Sequence, residues 1–321
     1  MGSKVLLVGK AFKKLFPEVE SVFDGLEVDV CSEEELLNYL PSTEVMVIGP
    51  MKVDEALLNK APNLKFIHQW GVGVEKIDLT ACAERGVKVC NVPAKGTGNA
   101  EGVGELAIMH MLLLARRWNR TQENLRKKRL YAPRGVALWK KTVTVIGLGN
   151  VGQCVIQRVK GFGMNVIGVN RSFRPEFDSL MLDEFCLLKD LHRVLPRSNF
   201  IVLALELNKE TMNIVDESFF DAVSEGTYLI NVARAELVKR SALEKALEGG
   251  KLAGIGLDVF WDEPADPEDP LLADPRVLVT PHIGGVTDEA VKGVANFIAD
   301  NIRRFYGGEE LKSLLTRGNE N

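Results

Sequence analysis

Short apolar runs recur along the chain, and polar stretches with apolar residues at helical spacing separate them. A first series of such runs lies at 4–8, 27–31, 45–48, 65–68 and 87–89. A second lies at 142–146, 165–169, 200–204, 227–231, 254–257 and 277–280. Runs that are apolar on both sides of the pleat and alternate with helices predict parallel sheets covered on both faces. Two series therefore predict two doubly wound α/β domains. Between the strands, 32–40 reads as a helix with Ser32 as its N-cap. The stretch 103–122 reads as one long helix. Its first half is apolar nearly all round, which predicts burial between domains or subunits. Its second half carries Arg116, Arg117 and Arg120 and should be solvated. A last helix spans 287–306 and stops at Gly307-Gly308, and the polar tail beyond it is expected to fray.

Composition narrows the class. The chain has 321 residues, which at roughly 150 per domain again suggests two. Hydrophobic residues make up 46% and charged residues 26%, enough apolar material for packed cores. Lys plus Arg is 40 against 44 Asp plus Glu, a net charge of −4, so the basic footprint of a general nucleic-acid binder is missing. Cys31, Cys82, Cys90, Cys154 and Cys186 form no C-x-x-C pair and are odd in number, which predicts free thiols in a reducing compartment and no metal site. The N-terminal residues carry no signal-peptide pattern, and the apolar run 106–115, interrupted by His110, is too short for a bilayer. The expectation is a cytoplasmic protein with neither a membrane nor a nucleic-acid partner. Glycine is in surplus at 29, and much of it falls at 71–73, 96–104 and 147–152.

The third of these clusters is chemical. Thr142-Val-Thr-Val-Ile-Gly147-Leu-Gly149-Asn150-Val151-Gly152 is a strand, a G-x-G-x-x-G turn and the start of a helix. In such a turn the first glycine makes the tight bend, the second lets the backbone approach a pyrophosphate, and the third lets helix and strand pack closely. The helix N-terminus then offers N–H groups and partial positive charge to the phosphates. An acidic residue usually ends the next strand of an NAD site. Here the residues are Asn170-Arg171-Ser172. Asn170 lacks the charge that repels a 2′-phosphate, and Arg171 with Ser172 could bind one, so the reading leans to NADP. The alternative is that Asn170 bonds the ribose of NAD and Arg171 is a solvated surface charge.

Three later segments follow predicted strands. Arg234 comes just after the strand at 227–231, Asp258 and Glu263 follow 254–257, and His282 follows 277–280. Ligands of open α/β sheets gather at the carboxyl ends of strands, which is also where the glycine turn lies. Arg234, Glu263 and His282 should therefore converge. A guanidinium can hold a carboxylate or polarise a carbonyl. A histidine with a carboxylate on its second nitrogen can give or take a proton near neutral pH. The single histidines His68, His110 and His192 read as structural or surface residues, and Trp70, Trp118, Trp139 and Trp261 as packing residues.

Taken together, the motifs resemble the D-isomer-specific 2-hydroxyacid dehydrogenase family. The matching pieces are the turn at 147–152, Asn231-Val232-Ala233-Arg234, Leu257-Asp258-Val-Phe, Asp262-Glu263-Pro264, Thr280-Pro-His282-Ile-Gly284-Gly, and Gly71-Val72-Gly73-Val74 followed by Ile77-Asp78. The resemblance implies a Rossmann cofactor domain at 100–286 and a discontinuous, flavodoxin-like substrate domain at 1–99 plus 287–321. It implies an active-site cleft with hinges near 98–104 and 284–288. It implies Arg234 as substrate anchor, His282 as acid/base and Glu263 as its partner. Gly147, Gly149, Asn150, Val151, Gly152, Asn170, Arg171, Ser172, Val232, Ala233, Asp258 and Gly284 would contact the cofactor, with Asp258 near the nicotinamide amide. Val72, Gly73 and Val74 would bind the substrate carboxylate through backbone N–H groups. The implied reaction moves a hydride between NAD(P)H and C2 of a small 2-oxo acid such as glyoxylate or hydroxypyruvate, and the helix from Val103 would help form a homodimer.

Some residues depart from the family pattern. Ala235 stands where a glycine is usual, and would strain the loop if that position needs φ > 0. Lys95, in the glycine-rich loop, could meet a second anionic group or simply be solvated. Formate dehydrogenases of this fold carry Gln where this chain has Glu263, which disfavours formate. Two other readings stay open. One is a short phosphoglycerate dehydrogenase. The other is a dinucleotide-sensing corepressor-type binding protein, although no long disordered tail or basic patch supports it.

Overall fold

The computed structural model describes residues 4–316. The chain divides into two units. One takes the residues up to Asn99 and those from Thr287 onward, and the other is Ala100–Val286.

The first unit contains β1 (Lys4–Val8), β2 (Glu27–Cys31), β3 (Val45–Ile48), β4 (Phe66–Gln69) and β5 (Lys88–Cys90). They pair in parallel in the order β2-β1-β3-β4-β5, the flavodoxin-like winding. Successive side chains alternate between two cores. Leu6, Val8, Met46, Ile48, Ile67 and Val89 pack on one face. Val5, Leu7, Val45, Val47, Phe66 and Cys90 pack on the other. The second core is closed by the last helix, Asp288–Gly307, through Val294, Ala295, Ile298, Ala299 and Ile302. The Thr287 hydroxyl caps that helix by accepting the Ala290 N–H at 3.2 Å, and Gly308 ends it in the left-handed region.

Two sequence expectations in this unit are corrected. The tail does not fray where it is described. Leu314 bridges Cys90 in antiparallel sense, Leu315 N–H donates to Val89 O at 2.8 Å, and Val89 N–H donates to Thr316 Oγ1 at 2.9 Å. The reason is that β5 is an edge strand with an unpaired row of backbone groups, which the tail satisfies. The expectation for residues past Thr316 lies outside the described residues. Ser32 opens a turn, since its N–H donates to Glu35 Oε2 at 2.8 Å, and the helix proper is only Leu36–Tyr39.

The second unit contains β6 (Thr142–Ile146), β7 (Asn165–Asn170), β8 (Glu184–Leu187), β9 (Phe200–Leu203), β10 (Thr227–Asn231), β11 (Leu252–Leu257) and β12 (Val277–Val279). The order is β12-β11-β10-β9-β6-β7-β8, all parallel. Counted from β6 this is the dinucleotide-binding order with one further strand, and its switch point lies between β6 and β9. Sequence reading misses β8, a short edge strand that begins on Glu184 and is only partly buried.

The expected single helix at 103–122 is two, Asn99–Ala115 and Trp118–Arg126, broken by Arg117 at φ 51. The apolar pattern ends at Ala115, whose carbonyl accepts Val136 N–H at 2.8 Å, while Arg117 N–H closes back on Leu114 O. The first helix packs Val103, Ala107, Met111 and Leu114 into the core with Val143 and Val145. The second buries no residue. Trp118 and Trp139, read as packing residues, are 44% and 63% exposed. All five cysteines are free thiols, as expected. Among the described residues no helix is long and apolar enough to cross a membrane.

Candidate active site

The carboxyl end of β6 runs straight into the glycine turn. A Cβ at Gly147 would lie 2.4 Å from the Ala204 carbonyl oxygen, and one at Gly152 would lie 1.9 Å from the Gly147 oxygen. Both positions are filled by neighbouring backbone, so only glycine fits. Gly149 is different: it caps the helix Asn150–Gly161, and the space a side chain would take is open. Open space beside the first N–H groups of a long helix is what a pyrophosphate requires. Asn150 is exposed and Val151 half-buried at the start of that helix. At the end of β7, Asn170 accepts the Leu148 N–H at 3.4 Å and donates to the Ser172 carbonyl at 3.0 Å. It thereby ties the strand end to the glycine turn. Arg171 forms an exposed ion pair with Glu210 at 3.4 Å. This donor set fits a dinucleotide.

Beyond β10, buried Asn231 folds the next loop. Its Oδ1 accepts Ala233 N–H at 3.1 Å, and its Nδ2 donates to Arg234 O at 2.8 Å. Val232 and Ala233 are buried, and Arg234 Nη1 donates to Ala233 O at 2.8 Å. Ala235 is buried in a short 3₁₀ turn and has no positive φ, so alanine carries no strain there.

Asp258 directly follows β11 and is 2% exposed. Its Oδ1 accepts the Thr280 hydroxyl at 2.6 Å and Ile283 N–H at 2.9 Å, and its Oδ2 accepts Gly284 N–H at 2.9 Å. A Cβ at Gly284 would sit 2.9 Å from that Oδ2, so glycine lets the loop close on the carboxylate. His282 rides on this pinned loop at φ 54. Its Nδ1 is 2.9 Å from both Glu263 oxygens, and Glu263 Oε1 also accepts Phe260 N–H at 3.2 Å. The side chains of His282 and Glu263 are 47% and 26% exposed. The Glu263 hydrogen bond raises the His282 pKa above the ordinary 6.5. Burial opposes that rise, the charges of Glu263 and Asp258 add to it, and Arg234 pulls the other way. With Nδ1–H donated to Glu263, Nε2 is the nitrogen left to exchange a proton with a ligand.

In the first unit, Gly71 follows β4 at φ 129. Carbonyls of the next loop are engaged from within that unit. Gly71 O accepts Val92 N–H at 2.9 Å, Val72 O accepts Asn91 Nδ2 at 2.7 Å, and Val74 O accepts Ile77 N–H at 3.0 Å. Asn91 is in turn bonded by Ser313 Oγ at 2.5 Å. Val72 is 44% exposed, while Gly73 and Val74 are half-buried. Lys95 is exposed. Trp70 packs edge-on against Phe12, and Trp261 donates its indole N–H to Val238 O at 2.9 Å.

The sequence reading includes Asn231 and Thr280 in its motifs but gives them no supporting role, and it passes over Asn91. The Asn231 contact has a local signal, an asparagine two residues before the N–H it accepts. Asn91 and Thr280 act across long sequence separations and have none.

Residues 108–284 match the family model described as D-isomer specific 2-hydroxyacid dehydrogenase, NAD binding domain. The D-3-phosphoglycerate dehydrogenase of Methanocaldococcus jannaschii is 35% identical over 91% of the chain, which spans 56% of that protein. The glyoxylate reductase of Thermococcus kodakarensis is 32% identical over 93% of the chain and 92% of its own length. Among solved structures, D-lactate dehydrogenase from Aquifex aeolicus, complexed with NAD and lactic acid, superposes with a TM-score of 0.83 at 27% identity, covering 95% of this chain and 96% of that one.

Proposed function

This chain belongs to the D-isomer-specific 2-hydroxyacid dehydrogenases, a family of nicotinamide-dependent oxidoreductases, and from that premise we propose that it reduces a small 2-oxo acid to the D-2-hydroxy acid. Glyoxylate and hydroxypyruvate are the proposed substrates. The observation that carries the reading is His282, held 2.9 Å from both oxygens of Glu263 on a loop pinned by Asp258.

A bound nicotinamide supplies the hydride that reaches the substrate's C2. The chain's own residues do the rest. Glu263 accepts Nδ1–H of His282 and favours the protonated ring, so that Nε2–H can give its proton to the carbonyl oxygen as that oxygen becomes an alcohol. Arg234, on the turn shaped by Asn231, holds the carboxylate or polarises the carbonyl. In the other unit, the N–H groups of Val72, Gly73 and Val74 are assigned to a carboxylate, a role suited to a loop whose carbonyls are engaged elsewhere.

Gly147, Gly149, Asn150, Val151 and Gly152 are assigned to the pyrophosphate. Asn170, Arg171 and Ser172 are assigned to the adenosine ribose, and Val232, Ala233, Asp258 and Gly284 to the nicotinamide half. The cofactor preference proposed is NADP(H). β7 ends in neutral Asn170, and an exposed pair such as Arg171–Glu210 is worth only about 0.2–1 kcal/mol, so a phosphate can replace Glu210 as its partner. Asn170→Asp should turn the preference toward NAD, and an unchanged NADP/NAD ratio of kcat/KM rejects this discriminator.

A second reading, oxidation of a phosphorylated 2-hydroxy acid, is favoured by the 35% identity to a phosphoglycerate dehydrogenase. We also assign a cytoplasmic homodimer, with the helix Asn99–Ala115 at the interface, because Leu106, Met109, Leu112 and Leu113 on it are only partly buried. One panel tests the activity: purified protein, NADPH or NADH, and a series of 2-oxo acids with 3-phosphohydroxypyruvate among them. Loss of nicotinamide absorbance with glyoxylate or hydroxypyruvate is expected. A preference for the phosphorylated acid selects the second reading. Tight dinucleotide binding without turnover of any acid selects a binding protein and rejects both.

A further inference from the structure

His110 lies on the helix Asn99–Ala115, is fully buried, and is remote in sequence from every site motif. Its Nε2 is 3.0 Å from Thr280 Oγ1, and the same hydroxyl lies 2.6 Å from Asp258 Oδ1. A hydroxyl has one proton to give. Asp258 accepts backbone N–H groups on both oxygens, so it serves as the acceptor for Thr280 as well. The Thr280 proton therefore points at Asp258, and the Thr280 oxygen must accept from His110. That assigns the Nε2–H tautomer to His110 and leaves Nδ1 as a bare acceptor. Nδ1 is buried and has no hydrogen-bond partner among the described residues.

Two unfavourable features surround this ring. A buried acceptor without a donor is costly, and leucine or methionine on this apolar helix face would avoid the cost. Gly256 weakens the middle of β11, since glycine is a poor strand former. A Cβ at Gly256 would lie 2.3 Å from His110 Nδ1, so the glycine makes room for the imidazole. Both features serve one bond, from Nε2–H to Thr280.

We infer that His110 is a positioning residue: through Thr280 it orients Asp258 and so fixes the 280–284 loop that presents His282 to Glu263. This rests on the acid/base role proposed for His282. Burial holds the His110 pKa down to about 4, so the ring stays neutral and keeps donating throughout the working pH range. The charged groups facing His282 are Glu263 and Asp258, both in the loop after β11, and Arg234, after β10. If the loop loosens, the Glu263 bond lengthens and the His282 pKa falls.

The test pairs His110→Met and Thr280→Val, which break the link, with His110→Gln and Thr280→Ser, which keep a donor or a hydroxyl near the same place. Removing either end should lower kcat about tenfold, by analogy with supporting shells elsewhere, with dinucleotide Kd unchanged within about twofold. The alkaline fall of kcat/KM for reduction should move to lower pH. The Gln and Ser variants should restore most of both. The double variant should be no worse than the more affected single. Nitrogen-15 NMR reads the His282 titration directly, because the chain has only 4 histidines and His282→Gln identifies its signal. A His282 titration unchanged in folded His110→Met overturns the inference. If His110→Met does not fold, Thr280→Val tests the same link from its other end, and an unchanged titration there overturns it equally. If the wild type turns over no 2-oxo acid, the functional reading fails while the NMR titration still decides the positioning role.

Discussion

At the carboxyl ends of β10, β11 and β12 the chain presents side chains: Arg234, Asp258 and His282. At the carboxyl end of β4 it presents backbone, the loop Gly71–Val74, whose carbonyls at 71, 72 and 74 are tied back into its own unit. Both loops leave parallel sheets buried on both faces, so the scaffolds are alike and the chemistry is not. A side-chain site announces itself by residue type. The loop proposed to bind through its backbone shows only its glycine motif in the sequence, and what holds it, Asn91 and behind it Ser313, appears in the structure. Buried histidines show the same contrast. His68, in the first unit, lies 3.0 Å from the Gln69 carbonyl through Nδ1 and 3.0 Å from Asn301 Nδ2 through Nε2. His110 leaves one nitrogen without a partner. Burial pushes both rings down to about 4, yet His68 is fully satisfied and ties the last helix to β4, while His110 accepts a penalty in order to hold a loop.

The contrast predicts unequal sensitivity to substitution. The largest loss belongs to His282→Ala, where kcat for reduction should drop by about 10²–10⁴ with dinucleotide affinity nearly intact. Retained kcat would transfer the acid/base role to another group. Arg234→Ala should lower kcat/KM by about 10²–10³ and affect KM and kcat together, and a change confined to KM would make it a binding residue alone. Glu263→Gln removes the cause of the raised His282 pKa. Reduction needs the protonated ring, so kcat/KM is sustained below that pKa and falls above it. In the variant the fall should begin at lower pH, and the reverse oxidation should gain activity at lower pH. A pH profile identical to wild type would detach Glu263 from the titration. The smallest effect is expected in the backbone region. Asn91→Ala removes the bond from Ser313 and the one that reaches the loop, to the Val72 carbonyl; the latter is worth about 1 kcal/mol, so KM should rise about fivefold with kcat preserved. A kcat loss as large as that of His282→Ala would erase the distinction between the two regions.

What was legible in the sequence follows the same division. The glycine turn, the strands flanking it and the residues after β10, β11 and β12 were readable because each is a local pattern with a local physical cause. The break at Arg117 was not, because it depends on Val136 reaching back to the Ala115 carbonyl. The ordered tail was not, because it depends on β5 being an edge. Asn91 with Ser313, and His110 with Thr280, are 222 and 170 positions apart and meet only because the winding brings them together. Single histidines in apolar surroundings read as structural until their partner is known. His68 and His110 are both buried, as a structural role requires, and the positioning role proposed for His110 rests on its partner Thr280.

The last helix has a consequence for how the protein is made. Residues 100–286 leave the ribosome as a complete unit before Asp288–Gly307 has been synthesised. Until then the face formed by Val5, Leu7, Val45, Val47 and Phe66 lacks its Val294, Ile298 and Ile302 cover. A sheet translated before residues 100–286 is thus sealed after them. Its uncovered apolar sheet is the surface on which a chaperone, or a neighbouring nascent chain, would act during translation.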